Sequence, residues 1–231
     1  MPTISLIEEL PKIVKEGRQE AQRILERLSS NTHIGLQTNE LVLPAKDTSG
    51  LWKGKNEQVI NKEWMNRLIY GDNLLVMQAL LAGDETTGLP SLRGKVDLIY
   101  IDPPFDSKVD YKKKIEIKGV GKATSDSSSF EEKQYGDIWT NDEYLQFMYE
   151  RLMLMRELLS DDGSIYVHLD EKRSHYIRLI LDEVFGQNSF RREIIWDITV
   201  LSGFKVQAKN WIRGHDTVLY YSKTTAPLFN K

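Results

Sequence analysis

The stretch KVDLIYIDPPF, residues 95–105, decides how this chain is interpreted. Its first part is short, apolar and rich in β-branched and aromatic residues, which is typical of a strand buried on both faces of a parallel sheet. The strand ends at Asp102, because Pro103 and Pro104 remove two backbone donors and keep the chain extended. We therefore expect a carboxylate and the ring of Phe105 at the carboxyl end of a central strand, the edge at which open α/β sheets bind ligands.

The composition is that of a globular protein, with 40% hydrophobic and 28% charged residues among 231. No apolar run approaches the roughly 20 residues of a membrane span, and the N-terminus lacks a signal-peptide pattern, so we expect a cytoplasmic protein without membrane contact. The absence of cysteine excludes disulfides, thiolate metal sites and cysteine nucleophiles. Neither His175 nor His215 has a partner at metal-site spacing, and we predict no metal.

Charge is unevenly distributed along the chain. The net charge of −3 argues against a simple polyanion binder. From Glu171 onward, however, ten bases stand against six acids. This excess fits a surface that faces phosphates, and it fits equally well a solvated face of mixed charge.

The first 57 residues are predicted to form a helical extension followed by a loop. Residues 4–28 have helical spacing, and Pro11 is expected to divide a short helix from a longer one. Residues 29–57 are expected to be a loop that contains a short strand at 41–43. Neither part carries residues to which we assign chemistry.

Residues 67–70 are predicted to form a strand that leads into a helix ending near Gly83. Asp72 or Asn73 would cap this helix. A parallel strand on each side of the helix would place Asp72 at the same sheet edge as Asp102. Asp72 thus has two interpretations, a helix cap and a ligand contact.

The second half of the chain alternates predicted helices and strands. Residues 106–140 are expected to be a mobile loop with little secondary structure, which becomes ordered when a ligand binds. A helix follows at 141–160, and His168 is interpreted as a satisfied core or edge histidine. The other predicted elements are strands at 164–169, 190–199 and 216–222 and a helix at 171–185, with Asp170 closing the first strand at the sheet edge.

Several segments, in this order, resemble DNA amino-methyltransferases, in particular the β-group adenine-N6 enzymes that include modification subunits of type III restriction systems. The segments are residues 68–74 (LIYGDNL), 96–105 (VDLIYIDPPF), 151–170, of which 158–170 read LLSDDGSIYVHLD, 181–186 (LDEVFG) and 215–223 (HDTVLYYSK). The resemblance implies an α/β fold: a doubly wound, Rossmann-like methyltransferase sheet, incomplete, with the helical extension at 1–57 and a partial catalytic domain at 58–231.

The resemblance also implies roles for individual residues. Adenine N6 is a poor nucleophile while its lone pair is delocalised into the ring. The Asp102 carboxylate and the Pro103 carbonyl would accept its hydrogens, with Pro104 and Phe105 completing the motif and Phe105 stacking on the flipped adenine. Asp72, Asn73 and Asp102 would contact S-adenosylmethionine. The implied partners are double-stranded DNA, a restriction subunit and a second copy of the chain.

The sequence also departs from the family pattern. In the family, a Phe-x-Gly-x-Gly loop that approaches the methionine part of the cofactor follows these segments, and the sequence contains no such motif. We therefore expect a truncated or shortened protein that, as an isolated chain, transfers methyl groups weakly or not at all. The alternative is a catalytically silent module, derived from such an enzyme, that binds DNA or a partner. An RNA or protein amino-methyltransferase is disfavoured by the later segments.

Overall fold

A computed structural model of the chain describes residues 6–29, 67–84, 88–103, 111–113, 132–135, 141–198, 209 and 211–229. In these residues no helix combines the length and the apolar character needed to cross a membrane. The predicted strand at 41–43 lies outside the described residues.

Four strands form a mixed sheet, and two shorter strands pair separately. The strands are β1 (Val96–Ile101), β2 (Tyr111–Lys113), β3 (Glu132–Tyr135), β4 (Leu159–Leu169), β5 (Phe190–Asp197) and β6 (His215–Ser222). The sheet has the order β1-β4-β6-β5, with β4 parallel to β1 and the two other pairings antiparallel. The predicted strands at 164–169, 190–199 and 216–222 are confirmed to within a few residues, apart from an earlier start of β4.

The helices pack on one face of this sheet. They are α1 (Leu6–Ser29), α2 (Asn73–Ala82), α3 (Asn141–Leu158) and α4 (Ser174–Phe185). The core joins buried residues of α1, α3 and α4 to the inward side of the strands, including Ile165, Val167 and Leu219. A second cluster packs α2 against α3 through Met77, Leu81 and Leu154. The α/β class is confirmed, with α3 as the crossover between the parallel strands β1 and β4.

The expectation that β1 is a central strand buried on both faces is wrong. β1 pairs with β4 alone among the described strands, and it stands at the edge of their sheet. Ile99 and Ile101 pack against the core, whereas Leu98 and Tyr100 are 60% and 58% exposed. An apolar run shows that a strand tolerates cover on both faces, but it does not show that both covering layers are present.

Pro11 does not divide the N-terminal helix, and this prediction is also wrong. It lies inside α1, which continues through it to Ser29. A proline in a helix removes the donor to the carbonyl four residues earlier, here that of Ile7. Because Ile7 is 78% exposed, water can satisfy that carbonyl.

Two further expectations about local structure need correction. Residues 67–70 do not form a strand. They have no regular secondary structure, and Leu68 is fully exposed. The strand-helix-strand unit expected around α2 is therefore absent from the described residues. In the predicted loop at 106–140, β2 and β3 form an antiparallel pair. The remaining residues of that loop lie outside the described ranges, and its mobility stays a prediction.

Candidate active site

Asp102 directly follows β1, and its position is set by the backbone. The preceding residue, Ile101, pairs with Val167 of β4, so the sheet fixes the chain up to that point. Asp102 is exposed and Pro103 is half-buried. Within the described residues, no hydrogen bond or ion pair engages the Asp102 carboxylate. Pro104 and Phe105 lie outside the described residues.

Asp170 ends the neighbouring parallel strand, β4, in a different way. It is buried, and its Oδ1 accepts hydrogen bonds from the backbone N–H groups of Lys172 and Arg173, both at 3.1 Å. Its own carbonyl accepts the N–H of Ser174, also at 3.1 Å, where α4 begins. The carboxylate of Asp170 is therefore consumed in turning the chain from strand to helix.

The difference between the two aspartates follows from the residues after them. Asp170 is bonded by the N–H groups two and three positions later. The residue two positions after Asp102 is Pro104, and proline has no N–H. Pro104 thus removes one of the two backbone donors that engage Asp170, and no described residue bonds to the Asp102 carboxylate.

Asp72 caps α2 and is partly exposed. Gly71 has φ +146°, a backbone conformation that favours glycine, and it turns the chain into the helix. The Asp72 side chain then accepts the N–H of Leu74 at 2.8 Å through Oδ1. Its side chain is 56% exposed. The predicted helix and its N-cap are confirmed, and a ligand contact by Asp72 stays a prediction.

Arg151, on α3, was not singled out from the sequence, although it contacts both residues at the start of α2. Its Nε donates to Asn73 Oδ1 at 2.6 Å, and its Nη2 lies 3.6 Å from Asp72 Oδ1. The guanidinium also lies 3.4 Å from the centre of the Phe147 ring, and Nη1 donates to the Phe147 carbonyl. Burial lowers the pKa of Arg151, and the charges of Asp72 and Glu150 partly oppose this effect.

A second set of polar contacts joins three strands at the edge where β1 and β4 end. The Tyr100 hydroxyl is 2.8 Å from His168 Nδ1, and His168 Nε2 is 3.3 Å from Asp216 Oδ2. Arg213 pairs with Asp216 and, at 3.0 Å, with Glu171. The interpretation of His168 as a satisfied histidine is confirmed. The sequence alone does not identify its partners, because they are brought together by the register of β1, β4 and β6.

Two of the predicted cofactor residues lie in a different element from Asp102, which is predicted to serve both the cofactor and the acceptor base. Asp72 and Asn73 begin α2, whereas Asp102 and Pro103 follow β1. No hydrogen bond or ion pair joins Asp72 to Asp102 in the part of the chain that the structure describes. In the same residues, no group of three histidine or carboxylate side chains could hold a metal ion.

Residues 96–231 match the model of a protein family described as DNA methylase. The chain is 30% identical to the type II methyltransferase M.EcaI of Enterobacter cloacae over 206 residues, which is 85% of this chain and 38% of that protein. It is 32% identical to the EcoPI Mod subunit of Escherichia phage P1, a type III restriction-modification enzyme, over 64% of this chain and 23% of that subunit.

A further relative and one solved structure complete the comparison. The EcoP15I Mod subunit of Escherichia coli is 26% identical over 82% of this chain and 29% of its own length. Among solved structures, the PvuII DNA methyltransferase (cytosine-N4-specific) has a TM-score of 0.41 and 15% identity, covering 68% of this chain and 49% of that one. The chain thus spans less than two fifths of the relatives that it matches in sequence.

Proposed function

Because the chain belongs to the DNA methylase family, we propose that it carries the acceptor site of a DNA adenine-N6 methyltransferase that uses S-adenosylmethionine. Family membership carries the Rossmann-like methyltransferase fold with it, and the described sheet is an incomplete part of that fold. One observation supports the proposal above all others: Asp102 is exposed at a strand end that the sheet holds fixed, and no described residue bonds to its carboxylate.

The chemistry requires a group such as Asp102. The adenine N6 lone pair is delocalised into the ring, and it becomes nucleophilic when acceptors take up the N–H hydrogens. The Asp102 carboxylate accepts one N–H and the Pro103 carbonyl accepts the other. S-adenosylmethionine, when bound, would supply the methyl group, with the S–CH3 bond of its sulfonium breaking as the bond to N6 forms and a neutral thioether leaving. As the N–C bond forms, N6 loses one of its protons towards Asp102. Holding the two acceptors in place lowers the barrier because no solvent reorganisation is needed.

The target base reaches this edge when it leaves the duplex. An adenine inside a duplex hides its N6 in the stack, so the base has to be extruded. Stacking on an aromatic ring contributes about 1–3 kcal/mol per base, and we assign this role to Phe105.

The residues at the start of α2 suit the methyl donor by their chemistry. Asp72 offers an exposed acceptor and Asn73 offers an amide with a donor and an acceptor. S-adenosylmethionine carries hydroxyl and amino groups that donate hydrogen bonds to such residues. We therefore assign Asp72 and Asn73 to the binding of the methyl donor, with Asp102 near its reactive end.

The relatives support the choice of partners, and the first residue of the DPPF motif supports the choice of adenine. Two of those named above are Mod subunits of type III restriction-modification enzymes. By analogy the chain acts on double-stranded DNA together with a restriction subunit, and a second copy is a further candidate partner. An aspartate in place of serine at the first position of the DPPF motif also favours adenine.

Two measurements test the proposal. Calorimetric titration of S-adenosylmethionine, with and without duplex DNA, is expected to show weak binding that DNA strengthens. Genomic DNA from a host that lacks its own DNA methyltransferases and expresses the chain is then digested and analysed by mass spectrometry. We expect a low level of N6-methyladenine. N4-methylcytosine would overturn the adenine assignment, and no product together with no binding at millimolar ligand would identify a silent module.

A further inference from the structure

The arrangement around Arg151 is more elaborate than the capping of α2 requires. An N-cap needs one acceptor, and Asp72 already accepts the N–H of Leu74 at 2.8 Å. A guanidinium near the N-terminus of a helix is opposed by the helix dipole. Burying it adds a desolvation penalty. Stability alone therefore does not explain why a charged side chain, 9% exposed, stands at this position.

The contacts of Arg151 determine which atoms of the two neighbouring residues face outward. Its contact with Asp72 and the contact of Leu74 with Asp72 both use Oδ1, and neither uses Oδ2. Its Nε bond engages Asn73 Oδ1, which turns the donor NH₂ of that amide away from the guanidinium. A carboxylate acceptor and an amide donor are thus fixed side by side at the start of α2.

Arg151 is itself held rigidly. The Phe147 ring lies against one face of the guanidinium at 3.4 Å, and the Phe147 carbonyl accepts Nη1 at 3.2 Å. Both groups lie one turn earlier on α3, whose own position is fixed by the core. The guanidinium therefore holds the two residues that begin α2 in a fixed position relative to α3.

We propose that Arg151 is a positioning residue for the methyl donor, which holds Asp72 Oδ2 and the Asn73 amide group in the orientation that binds S-adenosylmethionine. The inference rests on the proposed function, in which Asp72 and Asn73 contact this ligand. Arg151 acts through these residues and does not itself touch the ligand.

The test measures ligand affinity, so it does not depend on turnover. Binding of S-adenosylmethionine and of its unreactive analogue sinefungin is followed by ligand-observed NMR at millimolar concentrations. Arg151→Met is expected to weaken binding about tenfold, the effect of losing about one ligand hydrogen bond when Asp72 and Asn73 are no longer held in position. The matched control is Arg178→Met. Arg178 likewise lies 3.4 Å from an aromatic ring, that of Phe190, and pairs with Asp182, but it lies on α4. Its substitution is expected to leave the affinity unchanged.

A double-mutant cycle separates this inference from the proposed function. If Arg151 acts through Asp72, Arg151→Met adds little to the loss caused by Asp72→Ala. Additive losses, or an unchanged affinity in Arg151→Met beside a weakened Asp72→Ala, would overturn the positioning role and leave the proposed role of Asp72 intact. An Asp72→Ala chain that binds as the wild type does would remove the premise of both.

A conservative variant covers the case in which Arg151→Met does not fold. Arg151→Lys keeps the charge but lacks the planar fork that reaches Asn73 and Asp72 together. We expect a folded protein, checked by circular dichroism, with affinity weakened severalfold. Wild-type affinity in this variant would contradict the role assigned to the guanidinium geometry.

Discussion

Asp102 and Asp170 follow or end two neighbouring parallel strands, and they differ in exposure and in the hydrogen bonds of their carboxylates. Asp170 is 3% exposed and bonded by two backbone N–H groups. Asp102 is exposed, with no bond to its carboxylate in the described residues. The residues that follow a strand thus help to decide whether a terminal aspartate is bonded by local backbone donors or left available to a substrate. Pro104 removes the donor that, at the same spacing, engages Asp170.

The largest expected effect is on methyl transfer, for Asp102→Ala. We expect transfer to fall by at least about 100-fold, because the loss of one oriented acceptor of this kind costs about 3 kcal/mol or more in the transition state. The free energy of unfolding should change by less than about 0.5 kcal/mol, since the side chain is exposed. Both are measured, by tritiated methyl transfer and by thermal melting. Asp97→Ala, at the other end of β1, is the matched control and should leave transfer unchanged.

The opposite outcome is expected for Asp170→Ala. Removal of a buried carboxylate that accepts two backbone N–H groups in the turn before α4 should lower the free energy of unfolding by about 2 kcal/mol. Transfer per folded molecule should stay close to that of the wild type. Denaturant unfolding measures the first quantity. An unchanged midpoint would contradict the structural role of Asp170.

An intermediate effect is expected for Pro104→Ala, which makes the two aspartates more alike. It supplies an N–H two positions after Asp102, the spacing at which Lys172 contacts Asp170. A capped Asp102 would compete with the adenine amino group, and we expect transfer to fall about threefold to tenfold, the effect of one hydrogen bond. Pro103→Ala, whose N–H would stand one position after the carboxylate, serves as the control. Equal losses in both variants would refute the capping explanation and indicate loss of stiffness.

The smallest effect concerns a third carboxylate, that of Glu150, which is neither capped nor fully exposed. Burial raises its pKa, although a hydrogen bond from Gln146 and the charge of Arg151 oppose this. Because the pKa of Glu150 is raised in the folded state, its protonated carboxyl group contributes stability at pH values below the pKa of the unfolded chain. This contribution is lost as the pH rises through the folded-state pKa. Glu150→Gln should therefore stabilise the protein at pH 7, by a few tenths of a kcal/mol since the group is partly solvated.

The free energies of unfolding of Glu150→Gln and of the wild type are measured at neutral and at acidic pH. The advantage of Glu150→Gln over the wild type should vanish as the pH falls below the ordinary range of a glutamate. Glu16→Gln, at an exposed position of α1, should show no difference at either pH. A benefit of Glu150→Gln that persists in acid would point to packing and not to ionisation.

Local signals allowed much of the fold to be predicted. The helix after Asp72 was recognisable from its cap and from the apolar residues that follow, and Gly186 marked the end of α4. The strand before Asp102 and the three later strands were also found from short apolar runs. These features depend on neighbouring residues, so periodicity and capping residues suffice to find them.

The failures have long-range causes. The face of β1 that carries Tyr100 is buried only if another element of the fold packs on it. An apolar run in the sequence does not show whether such an element is present. Asn73, a partner of Arg151, lies 78 residues away from it in sequence, and Tyr100, a partner of His168, lies 68 residues away. One signal for Arg151 was present, since a charged residue on the apolar face of a helix, beside Met148 and Leu152, indicates a buried ion pair.

The most direct test compares Asp102→Asn with Asp170→Asn at equal concentrations of folded protein. Both changes replace a carboxylate by an amide at the end of a parallel strand. We predict that N6-methyladenine formation is nearly abolished by Asp102→Asn and close to the wild-type level in Asp170→Asn. Measurable and equal formation of N6-methyladenine by the wild type and by Asp102→Asn would contradict the assignment of Asp102 as the acceptor of the adenine amino group.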